Sequence, residues 1–303
     1  MAVPLPTAWF NGSFMPLADV RVSPLDRAFL YGDAVYEVIP VFAGQSFLLD
    51  AHLDRLERSL RELRIRNPHS RAEWVQVITG LVQKNGGGNL AVYLQVSRGA
   101  DVGRDHAFPG SHVAPTVFGM VSPVSEPHPD RLGIQAITRP DQRWGRCDIK
   151  STALLANILA RQEASEAGAG EAILLRDGQL SEGSASSVII VENGVLVRRP
   201  AGPDVLPGTT TDAVFVIARQ CGRRCIDDAI AEERLRRADE IWIAAATRGI
   251  APVLRLDGRP VGNGEPGPVW RQVAAAFDAS RPTSHAVGHA VGHVVGQVVR
   301  KAP

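Results

Sequence analysis

The stretch EAILLRDGQLSEGSASSVIIVENGVLVRR, residues 171–199, decides what kind of fold this chain adopts. Two apolar runs flank Asp177-Gly178, and two more flank Asn193-Gly194. Asp-Gly and Asn-Gly accept the positive φ that a two-residue hairpin turn needs, so the stretch predicts two successive β-hairpins. Four strands without an intervening helix break any regular βαβ rhythm. The pattern predicts an α+β fold rather than a doubly wound parallel sheet.

Working outward, strands and helices continue to mix. GIQAITR (133–139) reads as a strand, and a helix after Lys150 carries Leu154, Leu155, Ile158 and Leu159 and ends near Gly168. A helix is expected from about Thr210, a buried strand in ADEIWIAAAT (238–247), a hairpin in PVLRLDGRPVG (252–262) and a last helix in PVWRQVAAAF (268–277). Toward the N-terminus, residues 34–50 read as a hairpin that turns at Ala43-Gly44 and returns through Phe47 to Leu49. Leu53, Leu56, Leu60 and Leu63 recur at helical spacing, and a second helix is expected over about 71–84. LAVYLQVSRG (90–99) and APTVFGMVS (114–122) read as strands joined by a polar loop.

PVSEPHPDR (123–131), with three prolines, is the linker candidate. The expected layout is a small N-terminal domain over 1–121, a linker over 122–130, a larger C-terminal domain over 131–281 and a low-complexity tail over 282–303. In the tail His285, His289 and His293 recur every four residues. On a helix they would share a face and could bind metal, but glycine in each unit weakens a helix, and the tail reads as poorly ordered.

With 45% hydrophobic residues, 21% charged residues and a net charge of +1, the chain suits a soluble globular protein. No global field argues for nucleic acid, and no apolar run is long enough for a membrane helix. The N-terminus lacks a signal-peptide pattern, and the three cysteines, Cys147, Cys221 and Cys225, fit a reducing cytoplasm. Cys221 and Cys225, four apart on an expected helix, read as ordinary thiols rather than a metal pair.

Five short motifs carry chemistry. Lys150 in RCDIKST follows Arg143 and Arg146 and precedes an apolar segment. It is either a solvated helix-start charge or a buried amine whose pKa is lowered for attack on a carbonyl. LPGTTTDAVFVI (206–217) offers Thr209, Thr210 and Thr211 at a helix start, as caps or as donors to an anion. Glu182, before a Ser-rich turn with Ser184, Ser186 and Ser187, is either turn chemistry or a partner for a heterocyclic nitrogen. In GRDHAFPG, Arg104 and His106 sit two apart in a loop, either solvated or paired as a carboxylate clamp. DRAFLYGDAVYEV (26–38) completes the set. A lysine for a Schiff base, a phosphate cradle, a carboxylate for a ring nitrogen and a clamp for a carboxylate are together what pyridoxal phosphate needs.

In their order along the chain, these motifs resemble those of the fold-type IV pyridoxal-phosphate enzymes, over about residues 8–278. The resemblance implies that Lys150 forms the Schiff base with pyridoxal 5'-phosphate and shuttles the proton. It implies that Glu182 partners the pyridine nitrogen, that Arg55, Thr209 and Thr210 bind the phosphate, that Leu206 packs on the ring and that Tyr36 lies near the substrate carboxylate. No metal is implied. Arg104-Asp105-His106 resembles the carboxylate trap of the D-amino acid aminotransferase subgroup, in which the loop comes from the partner of a homodimer. That subgroup implies transfer from D-amino acids such as D-alanine to a 2-oxo acid such as 2-oxoglutarate. Branched-chain L-amino acid or (R)-amine aminotransferases, aminodeoxychorismate lyases and a non-catalytic cofactor-binding protein are the alternatives. One departure is Ala244, Ala245 and Ala246, where the subgroup offers hydroxyls. Thr247 is the nearby replacement.

Overall fold

The computed structural model describes residues 2–125 and 128–283. The histidine-bearing tail expected to be poorly ordered lies outside the described residues. In chain order the elements are β1 (Thr7–Phe10), β2 (Ser13–Pro16), α1 (Arg27–Tyr31), β3 (Ala34–Phe42), β4 (Gln45–Ser46), α2 (Leu49–Glu62), α3 (Arg71–Lys84), β5 (Leu90–Ser97) and β6 (Thr116–Pro123). Then come β7 (Ile134–Pro140), α4 (Leu155–Glu166), β8 (Glu171–Arg176), β9 (Gln179–Gly183), β10 (Ser187–Glu192), β11 (Val195–Arg198) and α5 (Thr209–Gln220). The series closes with β12 (Cys225–Asp227), α6 (Glu232–Arg237), β13 (Glu240–Ala245), β14 (Gly249–Leu256), β15 (Arg259–Pro260) and α7 (Pro268–Ala279).

The chain divides into two compact units. The first takes residues 2–125 together with Ile149–Ala153. Its six strands form one antiparallel sheet in the order β2-β1-β6-β5-β3-β4. Alternation along β3 sends Val35, Glu37, Ile39 and Val41 to one face, where the apolar members join Leu53, Leu56 and Leu60 of α2 and Val77, Ile78 and Leu81 of α3 in the core. Burying side chains of this size is worth about 1.5–3 kcal/mol each. Ser70 and Glu73 start α3 with a reciprocal capping box. The β3–β4 hairpin turns at Ala43 and Gly44, both at positive φ, as expected. Its return strand is only Gln45–Ser46, because Leu49 already belongs to α2.

The second unit takes residues 128–148 and 154–281. Its nine-stranded sheet runs β12-β11-β10-β13-β14-β7-β8-β9, with β15 beside β14. Asp177-Gly178, Asn193-Gly194 and Asp257-Gly258 all turn with positive φ at both residues, which is why the hairpins fold where the sequence places them. Crossovers through α4 and α5 make β7–β8 and β11–β12 parallel pairs, so two βαβ units appear among the described residues. Apolar side chains of β8, β10, β13 and β14 form a core with Ile230 and Leu235.

Two sequence expectations change here. Lys150 does not open a helix; α4 begins at Leu155, and its buried residues are Ala160 and Ala164. Leu155, Ile158 and Leu159 are exposed instead. Cys221 and Cys225 do not share a helix, because Gly222 at φ 76° ends α5 and Cys225 starts β12.

Candidate active-site residues

The first unit gathers one group of chemically distinctive side chains around Lys150. This residue is half-buried, and its backbone is fixed on both sides. Its carbonyl accepts from the Tyr36 N–H at 2.9 Å, and its own N–H donates to Ser59 Oγ at 3.3 Å. Ser151 bridges to Val35, and Thr152 Oγ1 donates to the Gly32 carbonyl at 3.0 Å. These ties explain why residues 149–153, which the sequence boundaries assign to the second domain, group with the first unit. Lys150 Nζ lies 4.3 Å from the centre of the Tyr36 ring. Tyr36 in turn stacks on Tyr93, whose hydroxyl donates to Gln95 Oε1 at 2.6 Å. Burial, helped by Tyr36, pushes the Tyr93 phenol up to about 12, so it stays a neutral donor.

Arg55 is buried beside Lys150's supporting strand. Glu37 stands at a core position of β3, where an unpaired charge would be prohibitive. Helix α2 answers with His52 and Arg55, three residues apart and therefore on one face. Arg55 donates from Nε to Glu37 Oε1 at 2.7 Å and from Nη2 to Oε2 at 2.8 Å, and His52 Nδ1 lies 2.8 Å from Oε2. Burial would raise the Glu37 carboxyl, but the Arg55 charge and these hydrogen bonds hold it well below its ordinary value. Burial lowers His52, so the imidazole is neutral and donates to the carboxylate. The sequence names Arg55 but misses Glu37 and His52. The signal was a glutamate inside the apolar run AVYEVIPVF.

Arg104 and His106 converge within the same unit. The Arg104 guanidinium lies 5.0 Å from the Tyr31 ring centre, and the His106 ring lies 5.3 Å from it. Tyr31 itself was not singled out; its phenolic oxygen is buried with no hydrogen-bond partner among the described residues.

The second unit holds the remaining candidates. Glu182 is the next-to-last residue of β9 and is 7% exposed. Its Oε2 accepts from the Leu206 N–H at 2.9 Å, and its Oε1 accepts from Arg143 Nη1. Arg143 is gripped from behind by Asp141, through Nε at 2.9 Å and Nη2 at 2.8 Å. Burial alone would raise the Asp141 carboxyl, yet the Arg143 hydrogen bonds hold it at about 2. The upstream arginines are thus not loose positive charge, since Arg146 also pairs with Asp148 at 2.9 Å. Ser184 and Ser186 both donate to the fully buried Glu171, which shapes the turn after Glu182.

At the start of α5 the cap position is Gly208, with no side-chain cap, so the threonines are not capping residues here. Thr209, Thr210 and Thr211 are all buried, and Thr211 Oγ1 has no hydrogen-bond partner among the described residues. A Cβ on Gly208 would fall 2.5 Å from Ser187 Oγ and 2.9 Å from Thr211 Oγ1. The helix start is therefore a close-walled, donor-rich cradle suited to an anion. Ala244 and Ala245 end β13, and Ala246 and Thr247 lead into β14.

The sequence profile of the family described as amino-transferase class IV matches residues 34–256. The D-alanine aminotransferase of Bacillus licheniformis is 37% identical over 272 residues, covering 89% of this chain and 95% of that protein. The D-alanine aminotransferase of Staphylococcus haemolyticus is 33% identical, covering 89% and 96%. Among solved structures, the branched-chain amino acid aminotransferase of Escherichia coli superposes with a TM-score of 0.84 at 26% identity, covering 94% of this chain and 97% of that one. A hypothetical aminotransferase from Mycobacterium tuberculosis in its PLP-bound form gives 0.79 at 28% identity, covering 90% and 98%. The chain belongs to the class IV aminotransferases, the fold-type IV enzymes that depend on pyridoxal phosphate.

Proposed function

We propose that this enzyme transfers the amino group of D-amino acids, such as D-alanine, to a 2-oxo acid such as 2-oxoglutarate. The observation that carries the choice of substrate is the convergence of Arg104 and His106 over Tyr31. A guanidinium and an imidazole gathered on one aromatic ring offer donors for the two oxygens of a substrate carboxylate. The D-alanine aminotransferases among its relatives support the same choice.

The residues present fit pyridoxal phosphate. The uncapped α5 start with the unpartnered Thr211 hydroxyl suits a phosphate dianion, for which Thr209, Thr210 and Arg55 are the proposed donors. Glu182, steadied by Arg143 and the Leu206 N–H, is the proposed partner of the ring nitrogen, and Leu206 is proposed to pack on the ring. When bound, the cofactor supplies an electron-accepting ring that stabilises negative charge at the substrate α-carbon.

Lys150 is the residue to which we assign covalent attachment and proton transfer. Its backbone is tied at Tyr36 and Ser59, so Nζ operates from a fixed root over an aromatic floor. An amine so placed can take a proton from the substrate α-carbon and return it elsewhere. Tyr36 is assigned to the substrate side. Arg104 and His106 orient the carboxylate and thereby set which face of the α-carbon meets Lys150. Thr247 is proposed to replace the hydroxyls missing at Ala244–Ala246.

We also propose a homodimer, in which the Arg104 loop serves the partner's substrate. The exposed row Leu155, Ile158 and Leu159 on α4 supports a covered face. A cytoplasmic setting is supported by three free thiols, and no helix among the described residues is long and apolar enough to cross a membrane. The fold similarity to branched-chain enzymes favours a second reading, action on branched-chain L-amino acids. Steady-state assays with D-alanine and L-leucine, each with 2-oxoglutarate, separate the two. The proposal expects kcat/KM for D-alanine to exceed that for L-leucine by about 100-fold or more. A preference for L-leucine would replace it with the second reading.

A further inference from the structure

The loop carrying Arg104 and His106 joins β5 to β6. Its base is closed: the Arg27 N–H donates to the Gly99 carbonyl at 3.0 Å, and Asp26 bridges to Ala100. A Cβ on Gly99, at φ 99°, would lie 2.1 Å from the Ala114 carbonyl, so the two ends of the loop press together. Above this base a cavity of about 350 Å³ opens beside the loop, lined by Arg27, Tyr31, Asp33, Arg98, His106 and Phe108 among others. Polar ties hold the loop backbone at its edge.

One side chain supplies most of them. Arg27, only 7% exposed, donates from Nη1 to the Asp105 carbonyl at 2.6 Å and the Ala107 carbonyl at 3.2 Å, and from Nη2 to the His106 carbonyl at 3.3 Å. Three successive carbonyls converge on one guanidinium, which fixes the backbone on both sides of His106. Arg27 is itself aimed by Asp33, which accepts from its Nε at 2.8 Å. Asp33 is shared with Arg98, which donates from Nε at 2.8 Å and Nη2 at 2.9 Å. Arg98 also donates to the Leu63 and Arg64 carbonyls, and its guanidinium lies 3.7 Å from the Phe108 ring centre. Burial would raise the Asp33 carboxyl, but Arg98 and Arg27 hold it below its ordinary value, so the link stays ionic. The Arg27 guanidinium also lies 4.7 Å from the Tyr31 ring that Arg104 and His106 share.

We propose that Arg27 is a specificity-determining positioning residue. Held by Asp33, it gathers the carbonyls of Asp105, His106 and Ala107 and so fixes the direction in which Arg104 and His106 meet a substrate carboxylate. The inference rests on the carboxylate reading of that pair. Lysine cannot replace this arginine, because a compact ammonium cannot span Asp33 and three carbonyls as a planar fork does.

The test compares wild type, Arg27→Lys and Arg104→Ala as holoenzymes. It measures KM and kcat for D-alanine, the absorption spectrum of the bound cofactor, and the rate of trypsin nicking after Arg104. The expected result for Arg27→Lys is a KM raised about tenfold with kcat changed less than about threefold, an unchanged spectrum and faster nicking. Should Arg104→Ala raise KM while Arg27→Lys matches wild type in both KM and nicking, the inference is overturned and the functional reading stands. Should Arg104→Ala leave KM unchanged, the carboxylate reading falls. The anchor is then judged by nicking alone, which supports it if faster and overturns it if not. If Arg27→Lys does not fold, Asp33→Glu, which displaces the guanidinium by one methylene, takes its place in the same measurements.

Discussion

At the residue scale, Glu37 shows how a buried charge organises its surroundings. It occupies a position that alternation along β3 reserves for an apolar side chain, and it is fully buried. The free energy of removing a carboxylate from water is offset by the paired guanidinium and imidazole of α2. Arg55→Leu would leave that carboxylate unpaired, and we expect it to cost about 3–5 kcal/mol in urea unfolding. The double variant Glu37→Leu/Arg55→Leu should regain most of the loss, because the buried charge has gone. A double variant no more stable than Arg55→Leu alone would show that the pair does not govern stability here. The same scale marks where sequence reading stops. Lys150, Glu182 and Arg104 were legible through motifs, whereas Glu37, His52 and Glu171 act through partners 13 or more residues away in the chain. Nothing local in AVYEV says that residue 37 will meet residue 55.

At the element scale, turns were the reliable signals. The three Asp-Gly and Asn-Gly hairpins form where the sequence puts them, because positive φ at both turn positions is a local demand that few residues meet. The start of α4 was less legible. The apolar run after Lys150 looks helical throughout, but the backbone around Lys150 is held by β3 through Tyr36 and Ala34, which delays the helix to Leu155. At α5 a glycine stands where a capping side chain is usual, and the space around it is tight. Gly208→Ala is therefore expected to crowd Ser187 and Thr211 and weaken cofactor binding about tenfold, read by titrating the apoenzyme with pyridoxal phosphate. The φ of −84° there is ordinary for alanine, so the melting temperature of the apoenzyme should scarcely move. Unchanged cofactor affinity would remove the α5 start from the phosphate site.

At the scale of the whole molecule, the α+β class follows from the motif order, and the family follows from residues 34–256. Exposure of Leu155, Ile158 and Leu159 on α4 could not be read from the sequence, since an apolar row looks the same whether it faces a core or a second subunit. Replacing Leu155 and Ile158 with glutamate should convert the proposed dimer to monomer in sedimentation velocity, because two charges cannot be buried unpaired in an interface. A wild-type protein that sediments as a monomer would contradict that proposal. The central claim, that Lys150 carries the cofactor, has a direct chemical test. Borohydride reduction of the holoenzyme followed by peptide mapping should place the pyridoxyl group on Lys150 alone. Finding it on Lys84, or finding no modified lysine at all, would contradict the account.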